Sequence, residues 1–407
     1  MIARADRHMD IRKLIPWVFF LILLVSSCKS APRAVLAVRD GKFELRGEPC
    51  HYIGVNYFDG FTRMLDSEKA GGMGYKEGFR ILEEKQIPFL RFNCGGFYPK
   101  DWKLYRENPD EYFRLLDEFV HEAEKRQLGL IPSLFWTFFT IPGLVGEPLS
   151  SWGDPESKTH AFMRKYTAEV VGRYKDSPAI WGWEFGNEYG LEADLPAAQK
   201  AGLAHWYQPR LGMPDKPGPD DYLTSPMIRT AYREFVKAVR TLDPDRPVFT
   251  GDSTPRSSAA TLEKTGHWGA DLPEMWVKHL IRNNPDPVDT LTIHFYPFHP
   301  DAGTGLPGHP LEETLLACLQ AGRESKKPVF VGEFGPGETP DLATRKAQFE
   351  TILDLLVRNQ VGLSAAWVFD YAPQPYNSFY PDGENAFMLE AISEANRKLR
   401  QTIPPHP

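Results

Sequence analysis

Eight times along this chain a short, nearly continuous apolar run gives way to a stretch with helical spacing. That alternation restricts the fold more than any other feature. The apolar runs cover residues 51–58, 87–93, 128–136, 247–253, 289–297, 328–335 and 362–370, with one more opening at Ile180. Helical patterns cover 75–86, 159–174, 227–242, 271–283, 311–325, 342–358 and 386–399, with one more opening at Asn108-Pro109. Apolar residues on both faces of a strand mark a parallel sheet covered on both sides. Eight strand–helix units predict an α/β chain of the (β/α)8 TIM-barrel class, with its site at the C-terminal strand ends. An open doubly wound sheet would bring a glycine-rich phosphate loop after its first strand. Gly54-Val-Asn-Tyr-Phe-Asp-Gly60 is not such a loop.

A short β element precedes the barrel at residues 35–52, where Asp40-Gly41 and Arg46-Gly47 are turn signals. The stretches after the fourth and fifth strands, 189–226 and 253–270, are long. Long loops on one rim of a rigid scaffold are where sites are built.

The first residues read differently. Arg4, Arg7, Arg12 and Lys13 precede the apolar core 14–25, then Ser26-Ser27-Cys28. A basic head and a short apolar core form an export signal, too short for a membrane span. Small residues before a cysteine predict cleavage there and lipid attachment at Cys28. The expected organisation is a lipoprotein signal at 1–27, a linker at 28–39, a catalytic domain at 40–400 and a flexible tail at 401–407. This places the protein in the cell envelope, exported and tethered to a membrane through the Cys28 lipid. The net charge of −7 offers no basic surface for nucleic acid. Cys50, Cys94 and Cys318 lack the spacing of a zinc site or a disulfide framework. A monomer is expected.

Two strands end in glutamates. Trp181-Gly-Trp-Glu-Phe-Gly-Asn187-Glu188 closes the fourth, and Pro328-Val-Phe-Val-Gly-Glu333 closes the seventh. Strands three places apart in an eight-strand ring face each other across the mouth. A carboxyl on each side of one bond is the arrangement that cleaves glycosides. Glu184 shares the face of Glu188 two steps deeper, and reads as a buried barrel carboxylate with Arg91 as one available partner. No Gly-x-Ser-x-Gly elbow is present; Gly251-Asp-Ser-Thr-Pro255 lacks the last glycine. Nor is there an HExxH zinc motif.

Asn187-Glu188 and Glu333, together with Arg91, His294-Phe-Tyr296 and Trp367, resemble the cellulase-type glycoside hydrolase family 5, a family of retaining (β/α)8 glycosidases. The resemblance spans about residues 40–400. It implies Glu188 as acid/base and Glu333 as nucleophile, with Arg91 holding Glu333 ionised. It further implies Asn187 at the sugar 2-hydroxyl, His294 and Tyr296 lining the site, and Trp367 beneath the sugar. The implied substrate is a β-linked glucan or mannan, and the implied chemistry needs neither metal nor organic cofactor. The third strand lacks the family's usual histidine, and Trp136 stands there either as a candidate stacking surface or as core packing. Tyr189-Gly190 follows the acid/base where a proline is common, so an unusual path is expected beyond Glu188. Two further readings stay open: a cell-surface barrel that binds glycan without cleaving it, and a transglycosylase.

Overall fold

The computed structural model describes residues 35–65, 73–196, 201–297 and 304–401. The expected signal 1–27, the Cys28 lipidation site and residues 402–407 of the expected tail lie outside the described residues.

The chain begins with three short antiparallel strands, β1 (Leu36–Arg39), β2 (Lys42–Leu45) and β3 (Glu48–Pro49). Asp40-Gly41 and Arg46-Gly47 turn between them, all four residues at positive φ. Paired positive φ is the two-residue hairpin geometry whose twist suits the flanking strands. Residues 36–39 therefore belong to a sheet and not to the expected linker. The reason is burial, since Leu36 is fully enclosed against the barrel floor.

Eight parallel strands follow: β4 (Tyr52–Asn56), β5 (Phe89–Asn93), β6 (Gly129–Phe135), β7 (Trp183–Gly186), β8 (Val248–Phe249), β9 (Leu291–Phe295), β10 (Val329–Phe334) and β11 (Leu363–Ala366). Their order is β8-β7-β6-β5-β4-β11-β10-β9, a nearly closed (β/α)8 barrel. The seam between β8 and β9 is stitched by side chains. Val248 N donates to Asp289 Oδ2 at 2.7 Å, and Thr290 Oγ1 to Val248 O at 3.3 Å. Asn284 Oδ1 accepts from Thr250 Oγ1 at 2.8 Å and Thr292 N at 3.1 Å. These bonds satisfy edge groups that would otherwise be left open.

The helices fall where the spacing predicts. Asn108 caps the helix Pro109–Lys125, its side chain accepting from Glu111 N at 3.2 Å with proline at the first helical position. The fifth strand is shorter than the apolar run 247–253, because Gly251 turns at φ +72° and takes the chain out of the sheet. The last helix runs through Gln401, one residue into the expected tail. Among the described residues no helix is long and apolar enough to cross a membrane.

Inside the barrel the floor is apolar. Phe89, Ile131, Trp181, Phe249, Phe330 and Leu363 pack together, and Phe43 of the β-element closes them from below, 6.1 Å from the Phe249 ring. Cys318 is a fully buried residue of the outer core. Two residues further along β5 and β6, the inward positions turn polar at Arg91 and Ser133, both fully buried. A charged layer on an apolar floor has a low local dielectric, so each charge there needs a partner.

Candidate active site

Arg91 is the centre of that polar layer, with no exposed side-chain surface. Nε donates to Glu184 Oε1 at 2.7 Å, and Nη1 to Glu333 Oε1 at 2.8 Å and Asn56 Oδ1 at 3.0 Å. Nη2 donates to Asn187 Oδ1 at 2.8 Å. One guanidinium thus joins the two carboxylates that sequence offered as alternative partners. A planar fork of five N–H donors can do this; a lysine ammonium cannot.

Glu333, at the end of β10, also accepts from Tyr296 Oη at 2.8 Å through Oε2. Glu188, beyond β7, keeps 32% of its side chain exposed and meets His294 Nδ1 at 2.8 Å through Oε1. Ligand-type atoms of Glu188, His294 and Glu333 all lie within 4.8 Å of one another. Retaining glycosidases hold their two carboxyls about 5–5.5 Å apart, whereas inverting ones need about 6.5–9.5 Å to admit a water. With ligand atoms of Glu188 and Glu333 within 4.8 Å, the pair is compatible with the closer, retaining arrangement.

The electrostatics separate the two acids. Burial raises both carboxyls above their usual range. Against that, Glu333 receives direct hydrogen bonds from Arg91 and Tyr296. Glu188 has no guanidinium in contact among these bonds and opens toward solvent. Charge-assisted donors favour the ionised form. Two carboxyls this close resist ionising together, and the direct donors from Arg91 and Tyr296 favour the charge on Glu333. Burial holds His294 down to about 3, so its ring is neutral. Among the described residues these three form the only cluster of metal-ligating side chains. The Arg91 guanidinium already places a fixed positive charge against one of them.

Asn187 spends its carbonyl oxygen on Arg91, which leaves its NH2 as the donor end. Trp367 is half-buried at the end of β11, with Nε1 donating to Gln374 Oε1 at 2.6 Å. Trp136 takes the packing alternative and not the stacking one. It is 3% exposed, lies 6.2 Å from the Trp367 ring at 29°, and carries the Arg91 guanidinium 4.4 Å from its centroid. Its indole stacks on an arginine, so it braces that cation (a cation–π contact) and offers almost no surface to a sugar. Glu184 is wholly enclosed, as the strand parity predicts.

Sequence reasoning missed Asn56. It is fully buried at the tip of β4, accepts from Arg91 and donates to Gly332 O at 2.9 Å. A lone amide ending an apolar strand was the available signal. It also missed Asp252 and Ser253, visible beforehand only as an incomplete elbow.

A (β/α)8 barrel with two carboxyls opposed across its mouth, one salt-bridged and one not, is a site of the retaining glycoside-hydrolase class. Comparison with known proteins agrees. Residues 66–372 match cellulase, glycosyl hydrolase family 5, and the chain belongs to that family. It is similar to mannan endo-1,4-beta-mannosidase 7 of Arabidopsis thaliana, 27% identical over 88% of this chain and 84% of the relative. Its fold is similar to the endo-1,4-beta-mannanase from Rhizomucor miehei, with a TM-score of 0.64, 16% identity, and coverage of 90% of this chain and 100% of that one. Endoglucanase Cel5A from Thermotoga maritima shares the fold at a TM-score of 0.54 and 18% identity, covering 84% of this chain and 96% of that one.

Proposed function

We propose that the chain is an endo-acting β-1,4-mannan hydrolase working by retaining double displacement. The observation that carries the mechanism is the Glu188–His294–Glu333 cluster, all within 4.8 Å, with Arg91 and Tyr296 bonded to Glu333 alone of the pair. Glu333 attacks the anomeric carbon while Glu188 gives its proton to the departing glycosidic oxygen. The covalent glycosyl-enzyme is then opened by water, from which Glu188 takes a proton. In the glycosyl-enzyme Glu188 carries the negative charge and Glu333 is a neutral ester; water's proton returns to Glu188 and its hydroxyl stays on the sugar, which restores one proton and one charge to the pair. Asn187 presents its NH2 to the sugar 2-hydroxyl, Trp367 lies under the ring, and Tyr296 and His294 hold the two carboxyls.

Support for mannan over glucan comes from the curated relatives, of which plant and fungal examples alike are named mannan endo-1,4-beta-mannosidases. The test is to incubate purified protein with β-1,4-mannan, galactomannan and β-1,4-glucan, follow reducing ends, and record the anomer released by NMR. Short manno-oligosaccharides formed first as the β-anomer are expected. Cleavage of glucan alone would move the substrate, an α-anomer would remove the retaining mechanism, and no cleavage of any glycan would leave a binding barrel. Product masses above the input length would reveal transglycosylation.

We further propose export with lipid attachment at Cys28 and a monomeric enzyme held at the cell envelope. The support is the basic head, the apolar core and Ser26-Ser27-Cys28. Cys28→Ala in the producing cell, followed by detergent partitioning, tests this; retention in the detergent phase would rule it out.

A further inference from the structure

Glu188 stands in an unusual backbone state. Its φ is +54° and ψ +30°, the left-handed region that glutamate seldom enters. Such a conformation costs on the order of 1 kcal/mol and lasts only where surrounding contacts over-determine it. Those contacts come from the loop after β8, residues 250–256. Gly251 O accepts from Glu188 N at 3.0 Å. Asp252 Oδ1 accepts from Gly190 N at 2.9 Å and from Ser253 N at 2.9 Å. Asp252 Oδ2 accepts from Tyr232 Oη at 3.0 Å. Arg256 Nη2 donates to Leu191 O at 2.8 Å. Thr254 Oγ1 donates to the carbonyl of His294, the residue bonded to Glu188, at 2.5 Å. Ser253 is within side-chain hydrogen-bonding reach of the Glu188 carboxyl.

Two glycines show how close this grip is. A Cβ on Gly251 would fall 1.8 Å from Gly186 O, and one on Gly190 would fall 2.7 Å from Asp252 Oδ2. Asp252 is 5% exposed; burial raises its carboxyl above the usual range, and the three hydrogen bonds it accepts oppose that by favouring the ionised form.

We propose that this loop is the positioning device for the acid/base, and that Asp252 is the residue through which it acts. Its carboxylate fixes the reversed path beyond Glu188, so that the acid's oxygen is aimed at the leaving-group side. Its charge also favours the protonated state of Glu188. The charged and titratable groups facing Glu188 are His294, Tyr296 and Glu333 at the site, with Arg91, Arg256, Glu192 and Asp252 around them. Asp252 is the anionic member of this set that grips the acid's own turn, which Arg256 also holds through Leu191 O. The inference rests on reading Glu188 as the acid/base.

The test uses Asp252→Asn and Gly190→Ala in the full chain; the second keeps the carboxylate but shifts its position. Each is assayed on an oligosaccharide the wild type cleaves and on the 2,4-dinitrophenyl glycoside of the same sugar, whose leaving group needs no proton. Placement of a general acid contributes about 10²–10⁴, so a partial loss of roughly thirtyfold in kcat is expected on the oligosaccharide, with KM little changed and the activated substrate nearly unaffected. In Asp252→Asn the basic limb of the pH profile should also move to lower pH, since a neutral neighbour releases the proton of Glu188 sooner. Equal losses on both substrates, or wild-type rates with an unmoved basic limb, would overturn the proposal. Should Asp252→Asn not fold, the substrate split in Gly190→Ala decides. A Glu188→Ala control losing both substrates equally would instead overturn the assignment of Glu188 itself.

Discussion

Replacing Arg91 with lysine separates the geometry of the buried cation from its charge. The guanidinium reaches Glu184 and Glu333 at once, at 2.7 and 2.8 Å, through different nitrogens. A lysine ammonium is a single point that can sit against one carboxylate. If it stays with the wholly enclosed Glu184, the charge moves from about 4 Å to about 7 Å from Glu333. At an effective dielectric near 20 that change weakens the attraction by about 2 kcal/mol. Such a loss raises the carboxyl's pKa. Because a nucleophile must be ionised, the acid limb of kcat/KM should move to higher pH. The lost alignment of Asn56 and Asn187 should lower turnover at the optimum by roughly a hundredfold, the usual cost of one preorganised electrostatic contact. The assay is a pH profile of kcat/KM for wild type and variant, with thermal unfolding to confirm that both are folded. A folded Arg91→Lys enzyme with an unmoved acid limb would refute the claim that this cation keeps Glu333 charged.

Other substitutions probe the remaining contacts. Glu333→Gln should abolish turnover while calorimetric oligosaccharide binding persists; substantial residual turnover would remove its nucleophilic role. Glu188→Ala should spare activated aryl glycosides and lose natural substrates by about 10²–10⁴, read from paired kcat/KM values. Tyr296→Phe deletes a 2.8 Å bond to the Glu333 carboxylate. Hydrogen bonds to charged groups are worth about 1.5–3 kcal/mol, so kcat should fall roughly 10–150-fold without loss of fold. Away from the site, Glu263 is held down to about 2; burial opposes ionisation but is outweighed by hydrogen bonds from His279, Arg229 and Arg282. A carboxyl depressed on folding stabilises above its unfolded pKa and loses that contribution as pH falls toward the folded value. Glu263→Gln should therefore cost about 3 kcal/mol in urea unfolding at pH 7, with the gap narrowing below pH 4.

The parts legible beforehand are those that local chemistry dictates. Apolar runs bounded by Asn108-Pro109, Asp40-Gly41 and similar signals locate strands, turns and caps without knowledge of neighbours. Strand parity placed Glu184 below Glu188, and the count of eight placed β7 opposite β10. The illegible parts depend on what comes close only after the barrel closes. Sequence posed Glu184 and Glu333 as competing partners for Arg91; with the strands closed into a barrel, one guanidinium lies within reach of both. Trp136 read as a stacking surface or as core packing, standing where the family's usual histidine is missing; its face meets Arg91. The run 247–253 read as a full strand because periodicity cannot register a left-handed glycine.

Taken alone, then, the sequence determined a (β/α)8 barrel and put a glutamate at the tip of each of two facing strands, because apolar periodicity and strand parity are properties of the chain itself. Only the tertiary structure showed which glutamate receives the guanidinium and what holds the other in its left-handed turn. Those depend on burial and on contacts such as Arg91 to Glu333 and Asp252 to Gly190, between residues 242 and 62 positions apart.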